Sequence, residues 1–479
     1  MKKLFSSWTL LFIILLLAFV LRLYKFSEPI ADWHSWRQSD TAAVSRLYVE
    51  NGIDLLHPKY LDISNLASGI DNPQGYRMVE FPLLNVLHVG VAKILPFLEF
   101  DQAARLTTII FSLVTTLFIF LLVKRYFSVR AALFASFFYA VLPYSIYYGR
   151  SVLPDTAMIA SVLGGIYFFS VWGEKKNFQF SIFNIQFWLA LIFTVASLLF
   201  KPYAIFFLLP MVVIAFQTLG WGASKKISLW LFAFLAVIPF AGWRLWIGQY
   251  PEGIPASNWL FNEGNIRFKG AYFYWIFGER ISQLILGYYT AFVTMGIFKR
   301  DFEKRFMLFL SLLVSSLIYL VVIARGNVQH DYYQIAIVPV LAIFIGRGID
   351  FLLSQDGWVN KVVGISIVIV TSFLMIILSW YHVRDYFNIN NRDMVEVGKK
   401  ADSILPKNAR VIAPYGGDTT FLYYINRPGW PHYEKSTKEL IEMGATHSVL
   451  LNPDANLIQE MENNYTIIAS DSAYIIVEH

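Results

Sequence analysis

Apolar windows of about 20 residues, long enough to cross a hydrocarbon core of ~30 Å as helices, recur along most of this chain. Eleven can be drawn, at 8–24, 103–123, 131–148, 156–172, 182–199, 203–219, 227–246, 281–298, 306–323, 332–353 and 362–381. The first follows Lys2 and Lys3 as a signal peptide would, but no small-x-small cleavage pattern follows it, so it reads as a retained span. A further apolar stretch, 81–97 ("FPLLNVLHVGVAKILPF"), is short and carries Asn85, His88 and Lys93, as an amphipathic helix lying in the interface does.

Beyond Val383 the pattern becomes that of a small soluble domain. It predicts a helix over 393–405, a strand at 410–414, a helix over 437–443, then "HSVLL", a helix over 456–462 and the strand pair "YTIIAS" and "AYIIVEH". The predicted fold is therefore a polytopic α-helical membrane part, residues 1–382, followed by a soluble α/β domain, residues 383–479.

Loop charge sets the orientation. If 81–97 does not span, Lys2, Lys3, Lys124, Arg125, Arg130, Lys175, Lys176, Lys225, Lys226, Lys299, Arg300, Lys304, Arg305 and Lys361 all fall on one side. The short loops of the other side then keep only Arg105, Arg150, Lys201 and Arg325. Counting the stretch as a span reverses that bias, so the positive-inside rule selects about eleven spans with the amino terminus inside and the carboxyl terminus outside. Two outer loops are long, about 25–102 and 247–280, and the soluble tail is extracytoplasmic.

Composition agrees with a multi-pass protein of the cell membrane: 57% hydrophobic residues, 15% charged and a mean hydropathy of +0.52. Absence of cysteine excludes disulfides and thiol catalysis. The net charge of +6 does not indicate nucleic acid, because no basic run or basic helix face occurs. The tail holds nine cations and thirteen acids, a net −4, which leaves +10 on the membrane part.

Candidate chemistry gathers on the outer side. The first long loop opens with "ADWHSWRQSD" and continues through Arg46, Asp62, Asp71, Arg77 and Glu80; "GRSVLPD" (149–155), Lys201 and "ARGNVQHDYYQ" (324–334) join it. Charges at span ends are costly, so their convergence on one face suggests a site. A helix over 33–44 would place Trp33, Trp36, Arg37, Asp40 and Val44 on one stripe. Two roles compete for it. Indoles can stack on a sugar while a guanidinium holds a phosphate and a carboxylate takes a hydroxyl proton. Alternatively, Arg37 and Asp40 form a structural pair and the tryptophans anchor the membrane surface. In "RSVLPD", Arg150 and Asp155 flank a helix-ending proline, and Asp155 is also placed to cap the next helix. His330, Asp331, Tyr332, Tyr333 and Gln334 offer either a pyrophosphate-type site or an interfacial belt. A divalent metal is left open, with Asp32, His34, Asp40, Glu80 or Asp155 as ligands, although no pair has tight ligand spacing. No Walker loop, no GxGxxG and no sizeable cytoplasmic domain exists to bind a nucleotide sugar, so an activated donor would be lipid-linked.

The order "ADWHSWRQSD", "EFPLLNVL", "ARLTTIIFSL", "GRSVLPD", "HDYYQIAIVP" and a soluble tail resembles the GT-C superfamily of membrane glycosyltransferases. Within it the likeness is to glycosyltransferase family 39 and its relatives, the protein O-mannosyltransferases and the aminoarabinose transferases of lipid A. The resemblance implies hexosyl or pentosyl transfer from a polyprenyl-phosphate sugar to a lipid, glycan or protein acceptor of the cell envelope, with inversion. It implies an acid of the first loop as base, a place that Asp40 fills best, with Asp32 the rival. Glu80, ahead of Phe81 and Pro82, and Asp155 resemble two further family acids. The chain departs from the family in having "WRQSDTA" where paired acids are frequent, and Phe81 where relatives carry lysine or proline. Substrate contacts would fall to His34, Trp36, Arg37, Glu80, Arg150, Asp155, Lys201, Arg325, His330, Tyr332 and Tyr333. The rival class is a transporter or flippase of a lipid-linked sugar, which predicts inverted repeats and midplane charges.

Overall fold

The computed structural model describes residues 6–298, 304–354 and 359–479; Lys2, Lys3, Lys299 and Arg300 lie outside them. The chain forms two compact units. Ser27–Ala104, Trp243–Ala256 and Tyr386–His479 make up one, here the second unit, and the other described residues make up the first.

Among the described residues six helical segments are long and apolar enough to cross a membrane: Phe100–Tyr126, Pro154–Lys176, Pro202–Lys225, Ile227–Ile247, Asp331–Leu352 and Lys361–Val383. Each overlaps a predicted window. Shorter apolar helices, Ser7–Arg22, Val129–Val141, Ile185–Phe200 and Phe306–Val322, occupy four more. We number the elements α1 (Ser7–Arg22), α2 (Ser35–Asn51), α3 (Leu83–Ile94), α4 (Phe100–Tyr126), α5 (Val129–Val141), α6 (Pro143–Tyr148), α7 (Pro154–Lys176) and α8 (Ile185–Phe200).

Two windows break where local chemistry demands it. At 131–148, Leu142 is extended ahead of Pro143, which lacks an N–H and restarts the chain as the buried α6. At 281–298 the expectation of one helix fails. Tyr274–Ile285 is π-helical, Gly287 and Tyr288 take positive φ (49° and 70°), and a new helix begins at Ala291. Gly287 lies so close to the backbone of Met375 and Ser379 that a Cβ would collide. Small residues also bring other helices together: Gly346 packs on Ala131 and Ala135, and Gly296 on the backbone of Phe344, with no room for a side chain.

In the second unit, five strands, β1 (Val411–Ile412), β2 (Gly429–Trp430), β3 (His447–Leu451), β4 (Thr466–Asp471) and β5 (Tyr474–Glu478), form a mixed sheet in the order β2-β1-β3-β5-β4. β1 runs parallel to β2 and β3, while β5 is antiparallel to β3 and β4. The predicted tail elements are all present; the helix Thr420–Ile425 and β2 were not foreseen.

The first loop belongs to this sheet. Ile63 N–H donates to Gly429 O (3.0 Å) and Gly429 N–H to Leu61 O (2.9 Å), so residues 61–63 extend the β2 edge. Ile63 then packs with Ile412, Trp430 and Leu440 in the domain's core. A short antiparallel ribbon precedes it: Tyr60 N–H donates to Gly75 O and Arg77 N–H to Pro58 O, both at 2.8 Å. Gly75 sits at φ 63° with its missing Cβ 2.7 Å from Tyr60 O, a position only glycine fits.

α3 is 12 residues, about 18 Å at 1.5 Å per residue, well short of a ~30 Å core. Its polar side chains serve α2: Asn85 donates to Thr41 O and Ser45 Oγ (both 2.8 Å), and His88 Nδ1 lies 2.9 Å from Ser45 Oγ.

Candidate functional site

α2 positions the central carboxylate of the second unit. Asp40 is buried, and its two oxygens have different partners: Arg77 Nη2 at 2.8 Å on Oδ2, and the Thr419 hydroxyl donating to Oδ1 at 2.7 Å. The ribbon brings Arg77 in from the first loop, and the tail brings Thr419 from 379 positions away in sequence. One helical turn earlier, Arg37 donates to Glu80 Oε1 (2.7 Å) and to Thr41 Oγ1 (3.1 Å). The expected Arg37–Asp40 pair is thus replaced by two ion pairs reaching different parts of the loop. The expected stripe is also shorter: α2 starts at Ser35, so Trp33 precedes the helix and stacks on Tyr386 at 4.9 Å.

Further carboxylates surround this point. Asp62 accepts from Ser64 N–H (2.8 Å) and from the Tyr60 hydroxyl (3.3 Å), and Asp418 accepts from Thr420 N–H (2.8 Å) and Ser35 Oγ (3.3 Å). Burial pushes both carboxyls above their ordinary range, and the nearby Asp40 charge adds to the rise. Burial, followed by Asp62, pushes the Tyr60 phenol well up; its ring lies 5.1 Å from the Arg77 guanidinium. Asp32, the rival base, is buried just before α2 and accepts from Gln38 Nε2 at 2.7 Å, while its backbone carbonyl accepts from Asn390. His34 takes a left-handed conformation (φ 55°) where the chain enters the helix.

A second polar grouping lies wholly within the first unit. Lys201, at the end of α8, places Nζ 2.7 and 2.8 Å from the two oxygens of Asp155, in the first turn of α7. Asp155 therefore spends its carboxylate on an ion pair; the cap residue of α7 is Leu153. Three phenol rings surround the ammonium, Tyr333 at 5.0 Å, Tyr332 at 5.3 Å and Tyr203 at 5.4 Å. His330 stacks on Tyr332 (5.5 Å) and meets Trp259 edge-on (5.8 Å). The carboxylate of Asp331 accepts from the Tyr148 hydroxyl at 2.6 Å. Arg150 is buried and donates to Lys25 O (3.1 Å), whereas Arg325 is more exposed and lies 3.9 Å from Glu263.

The predicted residues thus divide between the units. Asp32, His34, Trp36, Arg37, Asp40 and Glu80 share one; Arg150, Asp155, Lys201, Arg325, His330, Tyr332 and Tyr333 share the other. Thr419 and Asp418 were missed, since nothing local in the sequence ties the tail to α2, and Tyr60 was missed because its place beside Arg77 depends on the first-loop ribbon. Among the described residues no three His, Asp or Glu side chains converge as a metal-ligand set.

The comparisons with known proteins fit this architecture. Residues 82–246 match the family model described as dolichyl-phosphate-mannose-protein mannosyltransferase. No curated protein matches the chain by sequence. Among solved structures, ArnT from Cupriavidus metallidurans, bound to undecaprenyl phosphate, is similar with a TM-score of 0.68 and 13% identity over 97% of each chain. The Archaeoglobus fulgidus oligosaccharyltransferase, solved with zinc and sulfate, gives 0.61 and 12% over 95% of this chain and 68% of its own. Archaeal AglB from the same organism, in complex with an inhibitory peptide and a dolichol-phosphate, gives 0.58 and 10% over 95% and 70%. The chain therefore has the fold of the GT-C superfamily of membrane glycosyltransferases, and its segment 82–246 matches one of that superfamily's families.

Proposed function

We propose that this protein moves a sugar from a polyprenyl-phosphate donor to a lipid, glycan or protein acceptor at the outer face of the membrane, with inversion and with Asp40 as general base. In this reading about eleven spans hold the amino terminus inside, and the tail, 383–479, lies outside. The lipid phosphates bound by ArnT and AglB support a donor of that class.

The reaction is one displacement at the anomeric carbon. The acceptor hydroxyl gives its proton to Asp40 as its oxygen attacks, the bond from carbon to phosphate oxygen breaks, and the lipid monophosphate leaves as an anion that needs no proton. Arg37, Lys201, Arg325 or His330 receives the departing charge. His34, Trp36, Glu80, Arg150, Asp155, Tyr332 and Tyr333 serve sugar and phosphate binding.

The observation that carries the assignment is the way Asp40 is held. It sits on a helix, with one oxygen fixed by Arg77 and the other by Thr419, and a carboxylate has enough lone pairs to take a proton beside both partners. Asp32 is engaged by a glutamine six residues on, as a carboxylate that shapes the start of a helix is. Asp40→Asn should lower transfer by at least about 100-fold, read by mass spectrometry of cell-envelope glycans, with expression and membrane insertion intact. Near-normal transfer in that variant, or its loss in Asp32→Asn alone, would overturn the assignment.

A further inference from the structure

The second unit contains a cavity of about 440 Å³ that no step above uses. Its walls come from the end of α2 (Tyr48, Asn51), the first-loop residues Asp54, His57, Lys59 and Tyr60, and the tail residue Arg410. The volume falls within the ~300–1,000 Å³ of small-molecule sites.

The chemistry of the wall is selective. Lys59 and Arg410 both line it, and among the described residues neither has a carboxylate partner; the Lys59 ammonium reaches Gln74 Oε1 at 3.4 Å and the Tyr76 ring at 5.5 Å. The cavity's one acid, Asp54, is already engaged by the Leu56 and His57 N–H groups (3.0 and 3.1 Å) and by His57 Nδ1 (3.0 Å). Asn51 and Gln74 add amide groups, and Tyr60 supplies an aromatic wall. Positive charge without a local partner, amide groups and an aromatic surface together suit a hydroxyl-rich anion.

Position gives the cavity a use. Tyr60 lines it and also lies against Arg77, the guanidinium that holds Asp40. Tyr60 and Arg77 thus connect the cavity wall to the proposed base.

We infer that this cavity seats an anionic saccharide, one bearing a carboxylate or a phosphate group, as part of the acceptor, with Lys59 and Arg410 as its anion contacts. As the acceptor's seat the cavity rests on the transferase reading; as a binding site it does not.

Saturation-transfer NMR on the full chain in detergent micelles, with glucuronate, glucose 6-phosphate and neutral glucose as probes, tests this. At least one anionic probe should bind about 10-fold or more tighter than glucose. A response to glucuronate alone identifies a carboxylate ligand, and one to glucose 6-phosphate alone a phosphate ligand. The double variant Lys59→Gln/Arg410→Gln should erase the preference, whereas Lys59→Arg/Arg410→Lys should keep it. Equal binding of all three probes, or a preference that survives the glutamine variant, would overturn the inference. Asp40→Asn should leave probe binding unchanged while ending transfer. If that variant transfers normally and the glutamine variant still loses the anionic probe, the base assignment falls and the binding site stands.

Discussion

The Lys201–Asp155 pair lends itself to a double-mutant cycle that separates holding the fold from handling the substrate. Both oxygens of Asp155 lie within 2.8 Å of one ammonium, and the two side chains are 6% and 2% exposed. Removing one partner from so buried a pair strands the other charge, at a cost of about 3–5 kcal/mol. Asp155→Leu and Lys201→Met alone should each show that loss. Replacing both removes the stranded charge and should bring stability back to within about 2 kcal/mol of the parent, the remainder being the cation–π contacts with Tyr203, Tyr332 and Tyr333. Chemical unfolding in detergent micelles, followed by tryptophan fluorescence, measures the cycle. A double variant as unstable as the sum of the single losses would refute the reasoning. Transfer by the same variants then reads the second role: a stable but inactive double variant supports Lys201 as a phosphate ligand, and a stable, active one ends that assignment.

Other expectations concern the second unit. Thr419→Val removes a hydroxyl donor to a carboxylate, a contact worth about 1.5–3 kcal/mol, and should lower kcat/KM by about 10-fold or more while membrane insertion is unchanged; unchanged kinetics would show that Asp40 is positioned without it. Asp62 and Asp418 have carboxyls raised above 3.8, so the stability they contribute is fully present below 3.8 and is lost as pH rises through their raised values. Unfolding measured across that range should show a shallower loss in Asp62→Asn than in the parent, and identical slopes would contradict the burial. Gly75→Ala places a Cβ 2.7 Å from Tyr60 O at φ 63°, and should destabilise the ribbon by at least about 1 kcal/mol and reduce transfer, because Arg77 loses its mount.

Much of the helical framework was legible because a membrane enforces long apolar windows, and the tail because its strands alternate and its helices carry caps such as Ser436 with Glu439. The break in 281–298 was not legible, since it arises where Gly287 meets the neighbouring backbone rather than from any polar residue. At the candidate site, the polar character of 31–40 was legible and its pairing was not. Spacing alone joined Arg37 to Asp40, but Glu80 and Arg77, delivered by the first loop, supply better partners. Thr419 carries no local signature at all; only the tertiary packing of Thr420–Ile425 on α2 brings it there.

The seat of residues 61–63 on the β2 edge also bears on how the protein is made. A ribosome adding roughly 5–20 residues per second needs about 18–73 s to cover the 366 positions (429 − 63) between Ile63 and Gly429. Throughout that interval the first loop exists without its sheet partner, an unpaired edge open to degradation or to pairing with another chain. The 61–63 edge therefore cannot pair until β2 has been made, and a chain interrupted before β2 leaves it unpaired.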